Sequence, residues 1–275
     1  MDKIYEFSIR SFDGTKLFGK TWQTDKKYKG TICLIHGIGE HSGRYKNLAK
    51  TLNIFGYNVC AIDLRGHGFS DGKRGHTPSF SAWMTDITYL YQYAQGIYPG
   101  SLYIYGHSLG GNIALNYILQ NPNKFKGAII TSPHLKLAFS PPKFKVLIAY
   151  LIKNILPSMS LATKLNVHDL SHVKSVINEY VTDPLVHDRI TANTFVSIMR
   201  SGQDALDKAH TLSIPTLLMH GEKDKITSPI ASQKFARLAG SLCTLKIWID
   251  AYHELHNENI KNLVFETIGK WLEQN

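Results

Sequence analysis

Apolar and polar residues alternate at the start of the chain. Tyr5, Phe7 and Ile9 fall on one side and Ile4, Glu6 and Ser8 on the other, the pattern of a strand. Asp13-Gly14 supplies a turn, and residues 17–22 read as the returning strand of a β-hairpin. The pattern then changes to short, continuous apolar runs at residues 31–35, 57–62, 102–105, 127–131 and 215–220, as in strands buried on both faces. Helical spacing separates them. Tyr45, Leu48, Leu52 and Phe55 share a face closed by Gly56, Trp83, Ile87, Leu90 and Ala94 share another, and Ala114, Leu115, Ile118 and Leu119 a third, stopped by Asn121-Pro122. A helix near 229–239, a strand at 244–249 and a helix from 258 to 272 complete the series. The alternation predicts an α/β fold with a mostly parallel central sheet and helices on both faces.

Between residues 132 and 204 the alternation fails. No buried strand is readable there. Pro141-Pro142 opens a helix that Pro157 ends, and helical pieces follow around 173–177 and 191–202. The expected organisation is therefore a core formed by residues 1–133 and 205–275, interrupted by a helical cap at 134–204.

Composition narrows the picture. A chain of 275 residues with 43% hydrophobic content suits one large domain with an insertion. The longest apolar stretch, residues 146–152, ends at Lys153 and is too short to span a membrane. Residues 1–5 lack the apolar region of a signal peptide, so a cytoplasmic location is expected. Cys33, Cys60 and Cys243 are odd in number and each falls in a predicted strand, which argues for buried thiols and against a disulfide framework. The net charge of +10 is spread over scattered lysines. It describes a solvated surface with weak attraction to anionic membranes, and no basic motif calls for nucleic acid. No Cys/His spacing fits zinc, and no cofactor is expected.

The candidate chemistry centres on Gly106-His107-Ser108-Leu109-Gly110, a G-x-S-x-G placed where a predicted strand turns directly into a helix. In a nucleophile elbow the serine sits on a strained turn with its hydroxyl above the sheet. Gly106 and Gly110 lack side chains because strand and helix nearly touch. A serine hydroxyl needs a base, and the base an orienting carboxylate. In α/β-hydrolase sheets the order is Ser, then Asp or Glu, then His, each after a strand. Asp224 follows a buried strand on the turn Gly221-Glu222-Lys223-Asp224, with Glu222 as the spare. Asp183 and Asp188 fall in the cap, and Asp250 ends a strand. His253 follows the last strand, with His256 as its competitor. His220 still lies at a strand end, before the turn. The ordered set is Ser108, Asp224 and His253. The expected oxyanion donors are the amide of Leu109, after the nucleophile, and one from His36-Gly37-Ile38-Gly39, where flanking glycines free the amide of Ile38.

The stretch Leu34-Ile35-His36-Gly37-Ile38-Gly39-Glu40-His41-Ser42-Gly43-Arg44-Tyr45 closely resembles the oxyanion-loop signature of the monoacylglycerol lipase and lysophospholipase-like α/β hydrolases. Residues 63–70, 106–111, 180–185 and 251–256 look like the same family, so the resemblance covers nearly the whole chain. The G-H-G-x-S loop is common to many α/β hydrolases, whereas the stretch around Glu40 is far more specific. The resemblance implies an α/β-hydrolase fold, oxyanion amides from Ile38 and Leu109, and a glycerol-headgroup pocket lined by Glu40, Arg44, His107 and Tyr180. Glu40 and Arg44 have a competing reading, an internal salt bridge that shapes the loop. Leu109 stands where methionine is common in the family. Residues 139–176 align with no family motif, which leaves acyl chain length open.

The implied activity is hydrolysis of long-chain monoesters of glycerol through an acyl-enzyme. A lysophospholipase or general carboxylesterase with the same triad, and a non-catalytic lipid-binding relative, stand as alternatives. Haloalkane dehalogenation is disfavoured because it needs an aspartate at the elbow. In the first cap helix Phe144, Leu147, Ile148, Leu151 and Ile155 share a face that Ile152 and Leu156 broaden, with Lys143, Lys145 and Lys153 near its ends or rim. Either that face packs on the core, or part of it lines an acyl tunnel and touches lipid. Oligomeric state is open.

Overall fold

The computed structural model describes residues 3–275. Met1 and Asp2, part of the stretch read above for a signal peptide, lie outside the described residues, as do the side chains of Lys143 and Lys145. The hairpin forms as read: β1 (Lys3–Arg10) pairs antiparallel with β2 (Lys16–Gln23), and Gly14 takes the turn at a φ of 83°. Strands β3 (Gly30–Ile35), β4 (Tyr57–Ile62), β5 (Leu102–His107) and β6 (Gly127–Thr131) are buried at every residue, as their unbroken apolar runs require. Between them lie α1 (Lys46–Ile54), α2 (Phe80–Ile97) and α3 (Leu109–Gln120). The hydroxyl of Ser79 caps α2 by accepting from the amide of Ala82 at 3.1 Å.

The insertion holds α4 (Lys143–Ile155), β7 (Ser160–Ala162), α5 (Lys174–Thr182), β8 (Arg189–Thr191) and α6 (Ala192–Asp207). It is not purely helical: β7 and β8 pair antiparallel in a separate small sheet. At three residues each, they are too short to show a period of two in sequence. The main sheet resumes with β9 (Thr216–Gly221), α7 (Pro229–Ala239), β10 (Cys243–Trp248) and α8 (Lys261–Gln274). The eight strands run in the order β1-β2-β4-β3-β5-β6-β9-β10, and from β4 onward every pairing is parallel. The fold is therefore the mostly parallel α/β-hydrolase sheet expected.

Alternate residues of each strand feed two cores. On β3, Cys33 and Ile35 pack with Trp83 and Ile113 on one face, while Ile32 and Leu34 pack with Leu48 and Trp271 on the other. All three cysteines are buried and unpaired, as their strand positions required. Within the insertion, α6 is tied to the core: Asn112 and Asn116 of α3 donate to the carbonyls of Ile198 and Ser201, at 3.2 and 3.0 Å. Helix α4 is held differently. Tyr150 meets the guanidinium of Arg200 on α6, but Phe144, Leu147, Ile148, Leu151 and Ile155 are exposed, Ile155 to 77%. The apolar face of α4 thus points outward, not onto the core. Among the described residues no helix is long and apolar enough to cross a membrane.

Candidate active site

Strands β3, β5, β6, β9 and β10 lie side by side in parallel, so the loops at their C-terminal ends share one edge of the sheet. Open α/β sheets bind their ligands at that edge. Ser108 lies between β5 and α3, with φ 53° and ψ −115°, a left-handed conformation that costs a non-glycine residue about 1–3 kcal/mol. Its backbone is held on both sides: the amide donates to the carbonyl of Thr131 at 3.0 Å, and the carbonyl accepts from the amides of Asn112 and His134. A Cβ on Gly106 would run into the carbonyl of Gly110, and one on Gly110 into that of Ile35. The two glycines are the close approach that the elbow requires.

Asp224 stands on the loop after β9, its side chain fully buried. Its Oδ2 accepts from Nδ1 of His253 at 2.7 Å, and its Oδ1 accepts from the amides of Ile226 and Thr227 at 2.7 and 3.0 Å. Burial alone would raise the carboxyl pKa. The histidines His253 and His220 outweigh burial and hold it far below the carboxylate range, so it is ionised. Burial likewise pushes His253 toward neutrality, but Asp224 wins and raises its pKa. The hydroxyl of Ser132, itself at a φ of 44°, donates to the carbonyl of His253 at 2.8 Å and anchors that loop. Among the described residues no hydrogen bond joins Ser108 to His253.

The competing residues are placed elsewhere. His256 is buried with both ring nitrogens unpartnered and is stacked on Tyr45 at 4.6 Å. Burial drives its pKa down to about 4, and no carboxylate orients it. Glu222 is exposed and, among the described residues, accepts only from the amide of Asp250. Asp250 is exposed and paired with Lys223 at 2.5 Å, and Asp188 pairs with Arg189 at 3.3 Å. Asp183 accepts from His41 at 2.8 Å, which ties the insertion to the loop after β3.

That loop lies against the elbow, since a Cβ on Gly37 would sit 3.3 Å from Cβ of Ser108. Among the described residues the amide of Ile38 makes no hydrogen bond. Leu109 is the first residue of α3, where an amide has no partner within its own helix. Gly39, at a φ of 77°, lies under the carbonyl of His187, and its own carbonyl accepts from the amide of His187 at 2.9 Å.

Glu40 and Arg44 are committed to one another. Glu40 accepts from the amide of Gly37 and the hydroxyl of Tyr45, each at 2.6 Å, and pairs with Arg44 at 2.6 Å. Arg44 also grips Glu254 with two bonds of 2.6 and 2.7 Å. His107 is buried, bonded through Nδ1 to the hydroxyl of Thr131 at 3.0 Å and packed against His253 and His256. Tyr180, on α5, lies under the guanidinium of Arg44 at 4.7 Å and beside Gly39. Its hydroxyl has no hydrogen bond among the described residues, and it lines a cavity of about 210 Å³ with Asp183 and His187. Among the described residues no cluster of metal ligands occurs. Sequence reasoning missed Glu254 and Ser132, and weighed His220 only as a base, not as a partner of Asp224. Glu254 adjoins His253, and His220 stands four residues before Asp224 across the Gly221 turn. Those positions were the available signals.

An elbow serine at the carboxyl edge of this sheet defines an α/β hydrolase of the serine type. The family described as serine aminopeptidase, S33 (Hydrolase_4) matches residues 26–260, and the chain belongs to it. It is 35% identical to the monoglyceride lipase of Homo sapiens over 269 residues, covering 95% of this chain and 88% of that one. It is 36% identical over 270 residues, 97% of its length, to an uncharacterised abhydrolase domain-containing protein of Dictyostelium discoideum, of which it spans 29%. The crystal structure of Paleococcus ferrophilus monoacylglycerol lipase superposes with a TM-score of 0.87 at 33% identity, covering 94% of this chain and 98% of that one. The resemblance read from the loop after β3 is thus borne out over the full fold.

Proposed function

We propose that this chain is a carboxylic ester hydrolase that cleaves monoacylglycerols to a fatty acid and glycerol. The observation that carries the reading is the 2.7 Å bond from His253 to the buried Asp224, beside a serine on a strained elbow. His253, held in one tautomer by Asp224, takes the proton of Ser108 through Nε2 as Oγ attacks the ester carbonyl. The amides of Ile38 and Leu109 receive the oxyanion. Collapse expels the glycerol oxygen, which leaves with the proton from His253. Water then gives a proton to His253 and attacks the acyl carbon, and the fatty acid departs as Ser108 regains its proton.

Glycerol is favoured as the leaving alcohol by the likeness to monoacylglycerol lipases and by the free hydroxyl of Tyr180 beside the oxyanion loop. Glu40 and Arg44 serve this pocket by shaping the loop, and His107 by backing the base. Residues 134–204 act as a cap, and the exposed face of α4 meets lipid, with a net charge of +10 favouring anionic surfaces. The enzyme is then a cytoplasmic protein that visits membranes peripherally. The test is labelling of Ser108 by a fluorophosphonate, followed by rates on a monoacylglycerol, a lysophosphatidylcholine and an ethyl ester of the same acid. Labelling with a clear preference for the monoacylglycerol is expected. Preference for the lysophospholipid would replace the glycerol reading, and absence of labelling would remove the catalytic one.

A further inference from the structure

The acid of the triad has a second histidine, and its geometry is that of a built device. His220, at the end of β9, is fully buried and faces Asp224 through Nε2, 3.0 Å from the same Oδ2 that His253 uses. Its other nitrogen, Nδ1, lies 2.8 Å from the hydroxyl of Ser232 on α7. Ser232 is itself fully buried. We propose that Ser232 and His220 form a positioning pair, which fixes Oδ2 of Asp224 in direction and in charge and so tunes the base His253. This inference rests on the triad assigned above.

The hydrogen-bond inventory sets the direction of each proton. Oδ2 belongs to an ionised carboxylate and only accepts, so Nε2 of His220 must carry the proton that faces it. In a neutral ring Nδ1 is then an acceptor, and the hydroxyl of Ser232 donates to it. Without that donor the ring is free to take the other tautomer. A lone pair of Nε2 would then oppose the carboxylate, and the bond would be lost. Nε2 also lies 3.2 Å from the carbonyl of Thr227, a second acceptor that favours the same tautomer. Thr227 contributes from the other side, its hydroxyl 2.9 Å from Oδ2 and 3.1 Å from the carbonyl of Ser132. Oδ2 therefore receives His253 and His220 together, with the single hydroxyl proton of Thr227 divided between it and the carbonyl of Ser132.

A charge shared among several donors is a weaker partner for any one of them. Removing the His220 proton concentrates the negative charge of Asp224 on His253, which makes the imidazolium more stable and leaves less of the imidazole free to take a proton near neutrality. It also frees the carboxylate to rotate. Among the described residues the other titratable groups that face His253 are His107, His134, His256, Glu254 and Glu40. None of them touches Ser232 or His220, so a shift produced from Ser232 travels through Asp224.

The experiment compares His220→Leu, His220→Gln and Ser232→Ala with the parent and with Ser108→Ala. Folding is checked by circular dichroism, and kcat and KM are measured from pH 5 to 9 on a monoacylglycerol. His220→Leu should lower kcat about tenfold, the equivalent of one charge-assisted hydrogen bond, with KM within about twofold. The acid limb of kcat/KM should move up by about half a pH unit or more. Ser232→Ala should move both in the same direction by less, and His220→Gln, which can still donate, should restore most of the rate. Ser232→Ala keeps every buried ring, so it decides the matter if His220→Leu does not fold. A folded Ser232→Ala or His220→Leu with an unmoved acid limb overturns the proposal, whatever its rate. Parental activity in Ser108→Ala would instead overturn the triad beneath it.

Discussion

Arg44 holds Glu254 with two parallel bonds of 2.6 and 2.7 Å, between residues 210 apart in the chain. The first belongs to the loop after β3 and the second adjoins His253. The pair therefore joins the loop after β3 to the loop that carries His253, and Glu40 on the same guanidinium extends the link to the amide of Gly37. Burial raises the carboxyl pKa of Glu254, but Arg44 overcomes it and holds the group in its ionised form. Removing one partner of a buried, bonded pair costs about 3 kcal/mol or more. Glu254→Ala should lose about that much in urea unfolding, and ester hydrolysis should fall with it. A loss below about 1 kcal/mol would show that Glu40 alone satisfies Arg44.

Catalysis should collapse as a unit. Ser108→Ala and His253→Ala should each remove nearly all activity, and the double variant should lose little more than either single one. Asp224→Asn should cost on the order of 10⁴ in kcat by upsetting the tautomer of His253. His256→Ala should stay active. A dead His256→Ala with an active His253→Ala would reverse the assignment of the base.

The pH profile follows from two opposed shifts. His253 must be neutral to accept a proton. Its pKa is raised by Asp224 against burial, so the acid limb of kcat/KM should fall above 6.5, the ordinary histidine value. Stability runs by separate rules. The raised pKa of His253 contributes stability below pH 6.5 that is lost as the pH climbs through the folded value. The lowered pKa values of Asp224 and Glu254 contribute above their unfolded values of 3.8 and 4.5, and that part is lost as the pH drops. Thermal melts should therefore weaken steeply below about pH 4.5. A flat melting profile from pH 6 to 3 would contradict the buried carboxylates.

Tyr180→Phe tests the headgroup. A buried hydroxyl partner lost to the substrate costs about 1–3 kcal/mol. The rate on a monoacylglycerol should drop by roughly tenfold while that on the ethyl ester of the same acid changes little. Equal losses on both esters would mean that Tyr180 only supports Arg44.

The exposed face of α4 predicts lipid contact. Each leucine buried in a bilayer gains roughly 1.5–3 kcal/mol. Leu147 and Leu151 are exposed, so replacing both with serine should leave the fold intact. Co-sedimentation with anionic vesicles and hydrolysis of long acyl chains should both fall, with short chains spared. Unchanged binding and unchanged chain-length preference would assign α4 another partner.

Local pattern determined most of the scaffold. Continuous apolar runs marked β3 to β6 and β9 because strands covered on both faces need apolar side chains on both. The elbow was legible because Gly106 answers to a steric demand set within five residues, by the carbonyl of Gly110, whereas Gly110 itself makes room for Ile35 of β3. The proposed order of Ser108, Asp224 and His253 could be read because each follows a strand whose end is marked in sequence. Tertiary structure decided everything that depends on what lies across the sheet edge. It separated His253 from His256, three positions apart, by giving one a carboxylate at 2.7 Å and the other only aromatic rings. It turned Glu40 and Arg44 toward Glu254, a partner no local pattern could name. It left the apolar face of α4 uncovered, whereas helical spacing alone suits a buried face and a lipid-facing one equally. Periodicity reports which side of an element is apolar, and only the packing of distant segments settles what that side meets.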